Sequence, residues 1–144
     1  MCLPMLAKTD RGISFSYKKL PNGVLRPLIR VEVSKARAAD GVPCEVLVDS
    51  GADFCILKAE IGEILGLDIK SGEEFPYRGI NGAESVGYVH TVWLLVKNIW
   101  FSAKVVFSYE IPKGGHQVVG QIGFFDHFKI NFDYQKASIV LRAK

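Results

Sequence analysis

Hydrophobic and polar residues alternate along most of this chain. In GISFSYK (12–18), Ile13, Phe15 and Tyr17 fall on one side and polar residues on the other, as on a half-buried strand. PNG at 21–23 marks a turn. Ile29, Val31 and Val33 then share a face, with Arg30, Glu32 and Ser34 opposite. ADG at 39–41 turns the chain back, and Cys44, Val46 and Val48 form the next apolar face. Such turn signals recur about every ten residues, which predicts an all-β fold.

Two places break the rhythm. In KAEIGEILGL (58–67), Ile61, Ile64 and Leu65 lie at helical spacing and Gly66 is a natural C-terminal stop. GFFDHF at 123–128 predicts a second short helix of about one and a half turns. Each follows a strand that runs into a glycine-containing loop, LVDSGA in one case and QVVGQIG in the other, a faint internal repeat. Between them, FPYRGINGAESVGYVHTVWLLV predicts a hairpin whose tip, 79–84, is freed of bulk by Gly79 and Gly82. Strands over 89–96 and 99–107 are joined by Lys97 and Asn98, and KINFDYQKASIVLR closes the chain as two strands about Gln135 and Lys136.

Composition narrows the class. The chain has 144 residues, 49% of them hydrophobic, enough for one core, so 1–144 reads as a single domain with an N-terminal extension over about 1–24. A net charge of +3, evenly spread, gives no basis for nucleic-acid binding. MCLPMLAKTDRG has no basic n-region and Pro4 and Lys8 interrupt its apolar run, so no signal peptide is expected, and with no run of about 18 apolar residues no membrane association is expected either. Three cysteines, Cys2, Cys44 and Cys55, show no CxxC spacing and suit a reducing, cytoplasmic compartment. His90, His116 and His127 are scattered, with no HExxH, and Cys44 and Cys55 read as buried apolar thiols; no metal or cofactor is expected.

The candidate chemistry lies in VLVDSGADFCIL, 46–57. A lone ionised carboxylate is costly to bury unless it is paired or shares a proton. Placing Asp49 at the end of an apolar strand therefore suggests proton chemistry. The structural alternative is a turn aspartate bonded to its own backbone, the common fate of Asp-Ser-Gly.

Val46 through Ala52 resembles the active-site loop of the aspartic proteases, most closely the single-domain, retropepsin-like branch. Val118, Val119 and Gly120 before a short helix resemble that family's second element, and GINGAE resembles its glycine-tipped flap. The order of elements matches from about Pro27 to Leu141. The resemblance implies a retropepsin-like acid protease barrel with one or two short helices, active as a homodimer. It implies Asp49 as the catalytic carboxylate and Ser50, Gly51 and Ala52 as its loop. Asp53, Ile80, Asn81, Gly82 and Ala83 would meet substrate, Val118, Val119 and Gly120 would support the loop, and the partner would be a peptide or protein substrate. Asp53 could equally serve a structural ion pair.

Two carboxylates sharing one proton can act together, one drawing a proton from water while the other protonates the peptide carbonyl. This chain has one Asp-[Ser/Thr]-Gly, so the second carboxylate must be Asp49 of another copy, on a two-fold axis. In the family the chain ends often pair across that interface, which would suit GISFSYK and ASIVLR. Gln121 stands where viral members often carry arginine, so the usual ion pair there is not expected. The alternative function is a catalytically silent dimeric peptide-binding or assembly module of the same fold. A further one is a monomer that stays inert until a partner supplies the second aspartate.

Overall fold

A computed structural model describes residues 12–37, 40–79 and 81–144. Residues 1–11 with Cys2, Ala39 of the ADG turn, and Ile80 of the hairpin tip lie outside the described residues. The strands are β1 (Ile13–Ser16), β2 (Lys18–Lys19), β3 (Leu25–Arg26), β4 (Leu28–Ser34), β5 (Val42–Val48) and β6 (Ile56–Lys58). After the helix α1 (Ala59–Ile64) come β7 (Glu73–Arg78), β8 (Glu84–Val96), β9 (Ile99–Ser108), β10 (Gln117–Val119), β11 (Phe128–Asp133) and β12 (Ser138–Ala143).

Six strands in the order β4-β5-β10-β6-β9-β8 close into a barrel when β8 returns to β4, pairing Trp93 with Ser34 and Leu95 with Glu32. Period-two patterning fills it: Ile29, Val31 and Val33 from β4, Val46 and Val48 from β5, Val92, Leu94 and Val96 from β8, and Phe101, Ala103, Val105 and Phe107 from β9. Burying each large side chain is worth roughly 1.5–3 kcal/mol. Ser34 breaks the pattern, for it is fully buried rather than on the polar face. Its hydroxyl donates to the Ala36 carbonyl at 2.6 Å, which makes that burial tolerable.

β7 adds outside β8, so the expected hairpin is present. The β8–β9 turn runs through Lys97, whose φ of 57° gives the local twist that a two-residue hairpin loop needs. α1 ends as expected at Gly66, φ 85°, with Gly66 N–H bonded to Glu63 O and Leu67 N–H to Gly62 O at 2.9 Å each. It packs through Ile61 and through Gly62, where a Cβ would strike Ile69 and crowd Phe107. Ile64, expected on the apolar face, points outward and is 71% exposed.

The predicted helix at 123–128 does not form. Gly123 has φ 104°, its N–H is taken by the Asp126 carboxylate, and the segment folds into successive turns before β11 begins at Phe128. Its apolar residues serve a different purpose: Phe124 and Phe128 join Phe101 in an aromatic cluster with centroids 5.1–5.9 Å apart. That cluster fastens the barrel to a three-stranded sheet of order β1-β12-β11.

Of the terminal strands, β12 departs from the expected pairing across an interface, while the outer edge of β1 has no strand neighbour among the described residues. β1 pairs with β12 of the same chain, Ile13 opposite Leu141 through Ser16 opposite Ser138, and β12 pairs on its other side with β11. Both edges of β12 are thus occupied within one protomer. Apolar alternation could not distinguish pairing within a chain from pairing between chains.

Candidate active site

β10 is inserted between β5 and β6, parallel to β5 and bridged antiparallel to β6. The chain between β5 and β6 therefore loops around the end of β10, and Asp49 is the first residue of that loop. Gln117, buried within β10, secures both sides: its Oε1 accepts the Lys58 N–H at 2.9 Å and its Nε2 donates to the Glu45 carbonyl at 3.2 Å. Sequence reading missed this residue, whose only signal was an amide opening the apolar run QVV.

The loop is held mainly by backbone bonds. Asp49 N–H donates to Val119 O at 3.1 Å, and Ala52 N–H donates to Asp49 O at 3.1 Å. From the far side, Gln121 N–H donates to Ala52 O and Ile122 N–H to Asp53 O, both at 2.9 Å. A Cβ at Gly120 would run into the carbonyl oxygens of Ala52 and Phe54, so only glycine fits between the two loops. Gln121 Nε2 donates to Ser50 O at 2.8 Å, a neutral amide contact at the position where an arginine ion pair was not expected.

Asp49 is half-buried in this protomer, not buried as its apolar strand suggested. Its Oδ1 accepts the Gly51 N–H at 2.8 Å, the short local bond of an Asx turn, which fixes the carboxylate beside the loop. A Cβ on Gly51 would sit 3.2 Å from that oxygen. The carboxylate opens onto a cleft of about 370 Å³ lined also by Arg26, Pro27, Leu47, Val48, Ser50 and Phe132. Ser50 and Asp53 are exposed, and among the described residues the Asp53 carboxylate has no ion-pair partner.

Asn81, Gly82 and Ala83 form the tip of the β7–β8 hairpin, with Gly82 at φ 76° and Ala83 N–H bonded to Asn81 Oδ1 at 3.0 Å. Arg78 closes the tip by donating to Gly82 O at 2.9 Å and pairing with Glu84 at 3.4 Å. The stem of the hairpin touches the Asp49 loop where the Phe75 and Phe54 rings meet edge to face, centroids 4.7 Å apart.

The two described thiols are not activated. Burial pushes Cys44 up to about 12 and Cys55 up to about 11, and both are free. Cys55 lies beneath the second loop, its Sγ 3.6 Å from the Ile122 carbonyl. His116 is exposed. No helix among the described residues is long and apolar enough to cross a membrane.

The profile of the aspartyl protease family matches residues 34–124, a span that includes the Asp49 loop, the hairpin and β10. A retropepsin-like aspartic protease from Rickettsia conorii is similar in fold, with a TM-score of 0.64 and 18% identity over 91% of each chain. The EIAV protease complexed with the inhibitor HBY-793 is similar with a TM-score of 0.50 and 20% identity, over 67% of this chain and 82% of that one. No curated protein matches the sequence. Barrel, inserted strand and family profile agree, and the chain belongs to the aspartyl protease family, with a retropepsin-like fold.

Proposed function

We propose that the chain is an aspartic endopeptidase that acts as a homodimer, with residues 1–144 as one domain and Asp49 of each copy forming the catalytic dyad. The observation that carries this reading is the position of Asp49: a half-buried carboxylate, fixed by the Gly51 amide, at the mouth of an open cleft. One such group can take a proton from water or give one to a carbonyl, but not both at once. Two of them about 3 Å apart cannot both ionise, so they hold one proton jointly and perform both transfers. Substrate would be an extended peptide, lying between the β7–β8 hairpin as its flap and the floor of the cleft. Asn81, Gly82, Ala83 and the neighbouring Ile80 would face it, with Asp53 at the edge.

The terminal sheet supports one surface for the second copy. With both sides of β12 taken, the outer edges of β1 and of β11 have no strand neighbour among the described residues, and of these two strands β11 carries the residue, Phe132, that lines the Asp49 cleft. Along one face of β11, Phe128 is buried, Ile130 is half-buried, and Phe132, 39% exposed, lines the Asp49 cleft. A second β11 laid antiparallel on that edge would cover the apolar face and bring two clefts together. Free thiols at Cys44 and Cys55 support a reducing, cytoplasmic setting.

The test is to incubate the purified protein with a mixed peptide library at acidic and neutral pH, with and without pepstatin, beside sedimentation analysis. Pepstatin-sensitive cleavage by a dimer is expected. A dimer that cuts nothing under any condition would return the fold to the binding-module reading, and a silent monomer to the reading in which a partner must supply the second aspartate.

A further inference from the structure

The hairpin that reaches from the barrel has a built root. β8 is flanked by β9 from Val96 back to Tyr88, whose partner is Phe107; residues 84–87 have β7 alone beside them. Continued by two more positions, past Gly87 and Ser108, the ladder would set Val86 opposite Tyr109. Instead Tyr109 turns away, and its hydroxyl donates to Glu63 Oε2 at 2.7 Å. The residues on either side of Tyr109 take over its place. Glu110 Oε2 accepts the Val86 N–H at 2.6 Å, and Ser108 Oγ donates to the Val86 carbonyl at 2.9 Å.

Ser108 is fully buried and its hydroxyl is used to capacity. Besides donating to Val86, it accepts the Tyr77 hydroxyl at 2.8 Å and the Glu110 N–H at 3.0 Å. Tyr77 belongs to β7, so one oxygen joins both hairpin strands to the end of β9. Next along β8, Gly87 crosses β9 so closely that a Cβ would strike Val106. Opposite Val86 stands Pro76, which has no N–H to contribute on the exposed edge.

We infer that Ser108 and Glu110 form a clamp on Val86 that fixes the pivot of the hairpin, so that residues beyond Val86 move over the cleft while the stem stays with the barrel. Glu110 is a positioning residue in this arrangement, acting through the hairpin and not on substrate. The assignment rests on the reading of the hairpin as the cover of the site. It explains why side chains, not a ladder, hold this point: a clamp of two residues is local, whereas more ladder would stiffen the whole hairpin.

Native-state hydrogen exchange on the full chain tests the clamp without reference to catalysis. Glu110→Ala should speed exchange at the Val86 amide about tenfold, the loss expected for one hydrogen bond to a charged acceptor, with residues 92–96 unchanged. Glu110→Gln keeps an acceptor and should retain most of the protection. In a peptidase assay Glu110→Ala should raise KM by about the same factor through the smaller closed population, with kcat nearly unchanged. An unaltered Val86 rate in Glu110→Ala, or equal acceleration along all of β8, would overturn the clamp. An active enzyme with an unresponsive Val86 amide removes the clamp alone; a responsive amide in a chain without activity removes the catalytic reading alone.

Discussion

The loop after β5 and the loop after β10 leave neighbouring parallel strands at the same level, with Val48 beside Val119, and then part ways. The first presents Asp49 to a cleft and continues into β6 and α1. The second offers Gly120 and Gln121 to the first, and then turns inward through Gly123 to seat Phe124 and Phe128 in the core. Two strands with similar glycine-containing exits thus serve opposite purposes: one carries a titratable group, the other supplies amides and an absence of bulk. Backbone geometry alone does not assign the chemistry. The side chain at the first position past the strand does.

The difference can be broken at each loop in turn. Asp49→Asn removes the charge and keeps the shape, so we expect peptide cleavage to fall about 10²–10⁴-fold with the thermal transition intact; substantial activity in that variant would remove Asp49 from the chemistry. On the supporting loop, Gly120→Ala drives a methyl into two backbone carbonyls that cannot move independently. We expect a loss of roughly 1–3 kcal/mol or more in urea unfolding, and a neutral result would mean the two loops separate easily. Gln121→Ala releases only Ser50 O and should cost about 1 kcal/mol, visible also as faster proteolytic nicking near residue 50.

The smallest effect lies in the alkaline range. In the unfolded chain the thiols ionise near 9.0, whereas in the folded chain Cys44 and Cys55 stay protonated up to about 12 and about 11. Stability from these groups is therefore complete below pH 9 and declines as pH rises through the folded values, because the unfolded state loses protons first. By pH 10 the decline should be about 1 kcal/mol per thiol. Urea midpoints between pH 8 and pH 10.5 should fall less steeply in Cys55→Ala than in the parent chain, and parallel slopes would reject the assignment.

Much of this was legible in advance because it is local. Alternation located β4, β5, β8 and β9, and DSGA marked the loop that the fold wraps around β10. Gly66 stopped α1 where its left-handed conformation requires. What escaped depends on partners distant in sequence. Nothing near GFFDHF announces that Asp126 will bond back to Gly123 and prevent a helix. Period two puts Ser34 on the polar side, and only the closure of β4 on β8 buries it. The contacts of Ser108 with Tyr77 and Val86 join three strands that no linear pattern relates.

The insertion of β10 has a consequence for how the molecule comes into being. Ser50 and the Gln121 amide that steadies it lie 71 positions apart. During synthesis the segment bearing the aspartate emerges long before the strand that must slot beside it, and nonlocal pairings of this kind form late. A partly made polypeptide therefore cannot hold that acidic group in its finished setting, and any hydrolytic capacity is withheld until most of the chain has left the ribosome.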